Sequence, residues 1–122
     1  MRTAEAYCER AYAPYSNFKV GAALLLEDGS VVGACNVENA SYGLSVCAER
    51  SAMAAAVAAG LRRPAAVAVA ASRPGRCPPC GACRQFLSEF NPEMAVILKE
   101  HGVLRTYRLD ELLPVRFELE ES

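Results

Sequence analysis

The chain has 122 residues, enough for one domain (1–122) with a real core and too few for two. Hydrophobic residues make up 52% and charged residues 22%, a balance that folds compactly and argues against extended disorder. Thirteen basic residues against fourteen acidic ones leave a formal net charge of -1, so no positive excess is available to hold a phosphate backbone, and no nucleic-acid partner is expected.

Residues 1–10 carry no apolar stretch of the secretory kind, and uncharged runs such as 64–72 are too short to span a bilayer. A cytoplasmic location without a membrane partner is therefore expected. In that reducing setting the six cysteines read as thiols or metal ligands rather than as a disulfide framework.

In chain order, residues 2–12 predict a short amphipathic helix, ended by the turn chemistry of Ala13-Pro14-Tyr15-Ser16-Asn17. Two apolar runs, 20–26 and 31–36, flank Glu27-Asp28-Gly29-Ser30 and predict a β-hairpin, with Asp28-Gly29 its strongest local signal. The connection 37–46 holds Glu38, Asn39 and Tyr42, more functionality than a plain loop needs. A second helix, 47–59, is dense in alanine and stopped by Gly60; being apolar on nearly every side, it is expected to be buried within the protein or between subunits. After Pro64, alternating Ala and Val over 65–71 suit a buried strand, and 72–79 is a loop. A third helix, 80–90, stops at Asn91-Pro92; strands follow at 94–98 and 103–108 around His101-Gly102, then a helical turn at 109–113. This interleaving predicts an α/β fold, a three-layer α/β/α sandwich on a mixed sheet of about five strands.

Two segments organise the chemistry: Cys47-Ala48-Glu49-Arg50, and Pro79-Cys80-Gly81-Ala82-Cys83-Arg84-Gln85. One thiol plus a C-x-x-C pair can close on a single zinc ion and leave a fourth tetrahedral position for water. Both segments open helices, whose N-terminal dipoles favour thiolates. Cys47 and Glu49 would stand roughly 200° apart within a regular helix, so they serve one site only at its very end. Zinc with three thiolates carries a net charge of -1, which opposes ionisation of water. Arg50 and Arg84 are placed to offset it by donating to the sulfurs. Glu49, beside the metal without ligating it, can carry protons, the pattern of zinc-dependent deaminases of nucleobases.

These two motifs, together with Ala13-Pro14-Tyr15-Ser16-Asn17-Phe18-Lys19-Val20-Gly21-Ala22 and Asn36-Val37-Glu38-Asn39-Ala40, resemble the cytidine deaminase family, in its small homotetrameric three-cysteine class. The resemblance covers almost the whole chain. It implies zinc-dependent hydrolysis of cytidine and 2'-deoxycytidine to uridine and 2'-deoxyuridine with release of ammonia, in pyrimidine salvage. It implies one zinc per subunit on Cys47, Cys80 and Cys83, with Glu49 as the catalytic acid and base. It further implies that Phe18 contacts the pyrimidine, Asn36 and Glu38 the ribose hydroxyls, and the backbone at Ala48 the exocyclic amine. By the same resemblance, Tyr42 and Phe117 close a neighbouring subunit's site in a homotetramer.

Other readings of the same residues are a deaminase of another aminated ring, such as a nucleoside antibiotic or guanine, and a noncatalytic zinc-stapled module. In the latter, Cys77, Cys35 or His101 supplies a fourth ligand. Cys77-Pro78-Pro79-Cys80 also has redox-pair spacing, and Asn36 and Glu38 can serve simply to satisfy loop backbone. Cys8 and Cys35 read as small buried residues.

Overall fold

The computed structural model describes residues 1–72 and 80–118; the side chain of Tyr42 and the expected alternative ligand Cys77 lie outside what it describes. Five strands form one sheet in the order β2-β1-β3-β4-β5, with β1 Val20–Leu26, β2 Val31–Cys35, β3 Pro64–Ala71, β4 Ala95–Glu100 and β5 Val103–Arg108. Within this sheet β3 and β4 pair in parallel, while the β1–β2, β1–β3 and β4–β5 pairs are antiparallel, so the sheet is mixed as expected.

The β1–β2 hairpin turns where Asp28-Gly29 stands. Gly29 takes φ +91°, and Asp28 Oδ1 accepts the Ser30 amide at 2.9 Å. Side chains alternate across the sheet. Ala22, Leu24, Leu26, Val67, Val69, Val96 and Leu98 face one core with Ala48, Ala52, Met53, Ala56 and Leu87, while Ala23, Ala68 and Ala70 face Ala4 on the other side. Helix α1 (Arg2–Cys8) thus covers one face, and α2 (Ala48–Ala58) and α3 (Gly81–Ser88) the other, giving three layers.

Helix α1 ends at Cys8, short of the expected residue 12. Tyr12 instead pairs with Val37, its amide donating to Asn36 O at 3.0 Å, so a tertiary pairing draws 9–12 out of the helix. Helix α2 closes on Gly60 at φ +85°. The Gly60 amide donates to Val57 O (3.0 Å) and the Leu61 amide to Ala56 O (2.8 Å), which is the Schellman arrangement. One side of α2 is buried, whereas Ala54, Ala55, Val57 and Ala58 face outward. A four-residue helix α4 (Leu109–Leu112) follows β5, and its Leu109 is fully buried in the core. Among the described residues no helix is long and apolar enough to cross a membrane.

Candidate active site

The site lies where α2 and α3 begin. Cys47 and Cys80 occupy the N-cap positions of these helices, both in extended backbone (φ -70°, ψ 153° and φ -66°, ψ 169°). That geometry resolves the angular difficulty of Cys47 and Glu49, because the cap residue stands outside the helical screw and points independently of it. Cys83 comes one turn into α3, fully buried.

The three sulfurs converge. Cys47 Sγ lies 3.7 Å from Cys80 Sγ, and Cys80 Sγ lies 3.5 Å from Cys83 Sγ. Bonds of about 2.3 Å to a tetrahedral zinc put sulfurs roughly 3.8 Å apart, so the spacing fits that ion. Cys47, Cys80 and Cys83 are thus a group able to hold a metal, and among the described residues neither Cys35 nor His101 belongs to it.

The charge is unevenly shared. Cys47 is held down to about 5, first because it accepts a hydrogen bond from the Cys83 thiol, then through Cys80 and the Arg50 guanidinium, all against the cost of burial. Cys83 is pushed up by that same bond to Cys47, by burial and by Glu49. A helix N-terminus therefore does not favour all three thiolates alike: the first charge opposes the next, and a dication is what the set requires to ionise together. Glu49 is only 4% exposed, and burial lifts its carboxyl to about 7, within reach of the Cys83 thiol. Such a group takes up and releases a proton near neutrality.

Arg50 Nη2 donates to Ser45 O at 3.2 Å and stands 4.0 Å from Cys47 Sγ, while its buried Nε has no partner among the described residues. The guanidinium is thus fixed beside the sulfur cluster, in keeping with its place in the sequence next to Glu49. Arg84 Nη1 donates to Leu112 O at 2.8 Å.

Beside Cys47 opens a cleft of about 300 Å³ lined by Tyr15, Ser16, Asn36, Glu38, Ser45, Val46 and Cys47. Asn36 Oδ1 accepts the Val20 amide at 2.9 Å and its Nδ2 donates to Phe18 O at 3.1 Å. Glu38 Oε1 accepts the amides of Tyr15 (3.0 Å) and Ser16 (3.1 Å), and Oε2 accepts the Ser16 hydroxyl. The Ser16 hydroxyl and amides hold Glu38 below the usual carboxylate range. Asn36 and Glu38 do satisfy loop backbone, and they line the cleft as well. Phe18, half-buried, is tied to it through its carbonyl on Asn36 and its amide on Ser16 Oγ (3.0 Å). Ala48 is buried at the first turn of α2.

Phe117 does not line the cleft of its own chain: it stands 71% exposed on the C-terminal segment. Tyr42 opens a 3-10 turn, Tyr42–Leu44, between two of the three stretches that border the cleft, 36–38 and 45–47. Ser16 and Ser45 carried no signal of their own in the sequence; only Ser16's place inside a motif hinted at it. Cys8 is buried, its thiol donating to Lys19 O at 3.3 Å, and Cys35 is half-buried in β2, so neither joins the site.

The family model described as "Cytidine and deoxycytidylate deaminase zinc-binding region" matches residues 1–99. A cytidine deaminase of Halalkalibacterium halodurans is 49% identical over 115 residues, covering 93% of this chain and 87% of that protein. The crystal structure of a cytidine deaminase from Burkholderia pseudomallei superimposes with a TM-score of 0.89 at 51% identity, over 95% of this chain and 94% of that one. A cytidine deaminase structure from Mycobacterium tuberculosis gives 0.86 at 44% identity, over 97% and 94%.

Proposed function

The chain belongs to the cytidine and deoxycytidylate deaminase zinc-binding family, and from that premise we propose that it hydrolyses cytidine and 2'-deoxycytidine to the uridines and ammonia. The observation that carries this reading is the juxtaposition of three convergent sulfurs, a buried Glu49 and a cleft bearing one amide and one carboxylate. Zinc held by Cys47, Cys80 and Cys83 would supply a water acidified to neutral pH as the attacking group.

The chain's own residues do the rest. Glu49 takes one proton from the attacking water and gives it to the ring nitrogen next to the carbon attacked, then takes the second from the oxygen now bonded to that carbon and delivers it to the departing amine. A carboxyl that titrates near neutrality suits both directions of transfer. Phe18 offers a face to the pyrimidine, and the backbone at Ala48 offers a hydrogen-bonding group to the amine. Arg50 draws charge from Cys47.

Hydrogen-bond accounting bears on the sugar. A carboxylate accepts about four bonds, and three at Glu38 are used internally; Asn36 has spent one of its two N–H groups. One acceptor position at Glu38, and one donor and one acceptor position at Asn36, remain for the sugar hydroxyls. With purified zinc-loaded protein, both nucleosides should yield ammonia and the matching uridine in equal amounts, with kcat/KM values within about tenfold of each other. Failure to release ammonia from either would refute the activity.

The outward Ala54, Ala55, Val57 and Ala58 of α2, and exposed Val103 and Leu104 on the edge strand β5, support assembly of the single-domain chain into a homotetramer. In it Tyr42 and Phe117 complete a neighbour's cleft. The setting is cytoplasmic pyrimidine salvage, with a free nucleoside rather than nucleic acid as substrate.

A further inference from the structure

The end of α4 and the segment after it are tied to α3 by three hydrogen bonds. Arg84 Nη1 donates to Leu112 O at 2.8 Å, Gln85 Nε2 donates to Phe117 O at 3.0 Å, and Gln85 Oε1 accepts the Phe117 amide at 3.0 Å. The last two bonds close a ring in which a side-chain amide binds the backbone on both sides of one residue, much as a neighbouring strand would. Both groups of the Gln85 amide are engaged, so the backbone at Phe117 is fixed in position and in orientation.

What this clamp holds is not buried. Phe117 is 71% exposed and nearby Val115 is 91% exposed, so the ordering of the segment is not recovered by packing these side chains into the chain's own core. An aromatic ring on a fixed backbone is prepared for contact with something else, and fixing it beforehand lowers the entropy lost when contact is made. The same chain presents exposed apolar side chains in the cleft, where Tyr15 is 50% and Val46 38% exposed. A second copy of this chain therefore offers a surface on which such a ring can be covered.

We propose that Gln85 is a positioning residue: it clamps the Phe117 peptide so that the ring is presented, already ordered, to the cleft of a second copy of the chain. This rests on the reading above in which Phe117 completes a neighbouring site. Gln85 follows Cys83 by two residues on the same helix, so the clamp also references the ring to the helix that carries two of the three sulfurs. The role concerns holding the nucleoside, not the chemistry, and its signature is therefore in KM.

The test is a mutant cycle on the zinc-loaded full-length protein, with KM and kcat for cytidine, zinc per chain and oligomer mass by light scattering. Gln85→Met keeps side-chain length and helix propensity but removes both bonds; Phe117→Ala removes the ring. Gln85→Met should raise KM roughly three- to tenfold with kcat, zinc content and mass unchanged. Phe117→Ala should raise KM by at least as much, and the double variant no further than Phe117→Ala alone. A KM for Gln85→Met equal to the parent's, with Phe117→Ala still raising it, overturns the positioning role, as does full additivity. A KM unchanged by Phe117→Ala overturns the reading of Phe117 itself, and the inference falls with it.

Discussion

Glu49 combines near-total burial, a carboxyl raised to about 7 and a neighbouring sulfur cluster, a position no structural role requires. Glu49→Gln keeps volume and hydrogen bonding but cannot cycle a proton. The variant should bind zinc stoichiometrically and lose at least about a thousandfold in kcat, measured as ammonia release; turnover near the parent's would remove Glu49 from the mechanism. Arg50 stands at one remove, beside Cys47. Arg50→Gln should lower kcat roughly ten- to a hundredfold while the thermal midpoint changes little, and equal rates would contradict its tuning role. The identities of these residues were legible because reactive types at fixed short spacings are rare. For Arg84, adjacency to Cys83 suggested the sulfurs; its bond to Leu112 O on another element is one that adjacency in sequence does not announce. The duties of Gln85 and Ser16 were equally hidden, since each bonds residues distant in the chain or around a turn.

At the level of elements, local chemistry read well where it was self-contained. Asp28-Gly29 turns the hairpin, Gly60 ends α2, and His101-Gly102, both at positive φ, joins β4 to β5. Where a partner outside the element decides, the sequence fell short: 9–12 leave α1 as Tyr12 pairs with Val37, and Cys47 and Cys80 are caps rather than first helical residues. Gly21 shows how closely the first helix must lie. A Cβ there would overlap the Ala4 carbonyl oxygen and the Cys8 amide, backbone groups that cannot turn aside. Gly21→Ala should cost about 1–3 kcal/mol in urea unfolding by lifting α1 from β1, with zinc still bound; an unchanged midpoint would show that α1 is not seated on this strand.

For the molecule as a whole, the sheet's order places β3 at its centre with β4 parallel beside it, and the start of α3 and the cap of α2 meet on one side of that sheet. Strand alternation made the layers legible. The half-exposed alanine helix was ambiguous, because alanine is small enough for an interior, an interface or a surface, and only packing distinguishes them. Everything chemical depends on the metal keeping one position free of protein. X-ray absorption at the zinc edge of the purified, zinc-loaded protein measures this directly. Three sulfur neighbours and one lighter atom are expected; four sulfurs would mean a closed structural site and no place for the reaction.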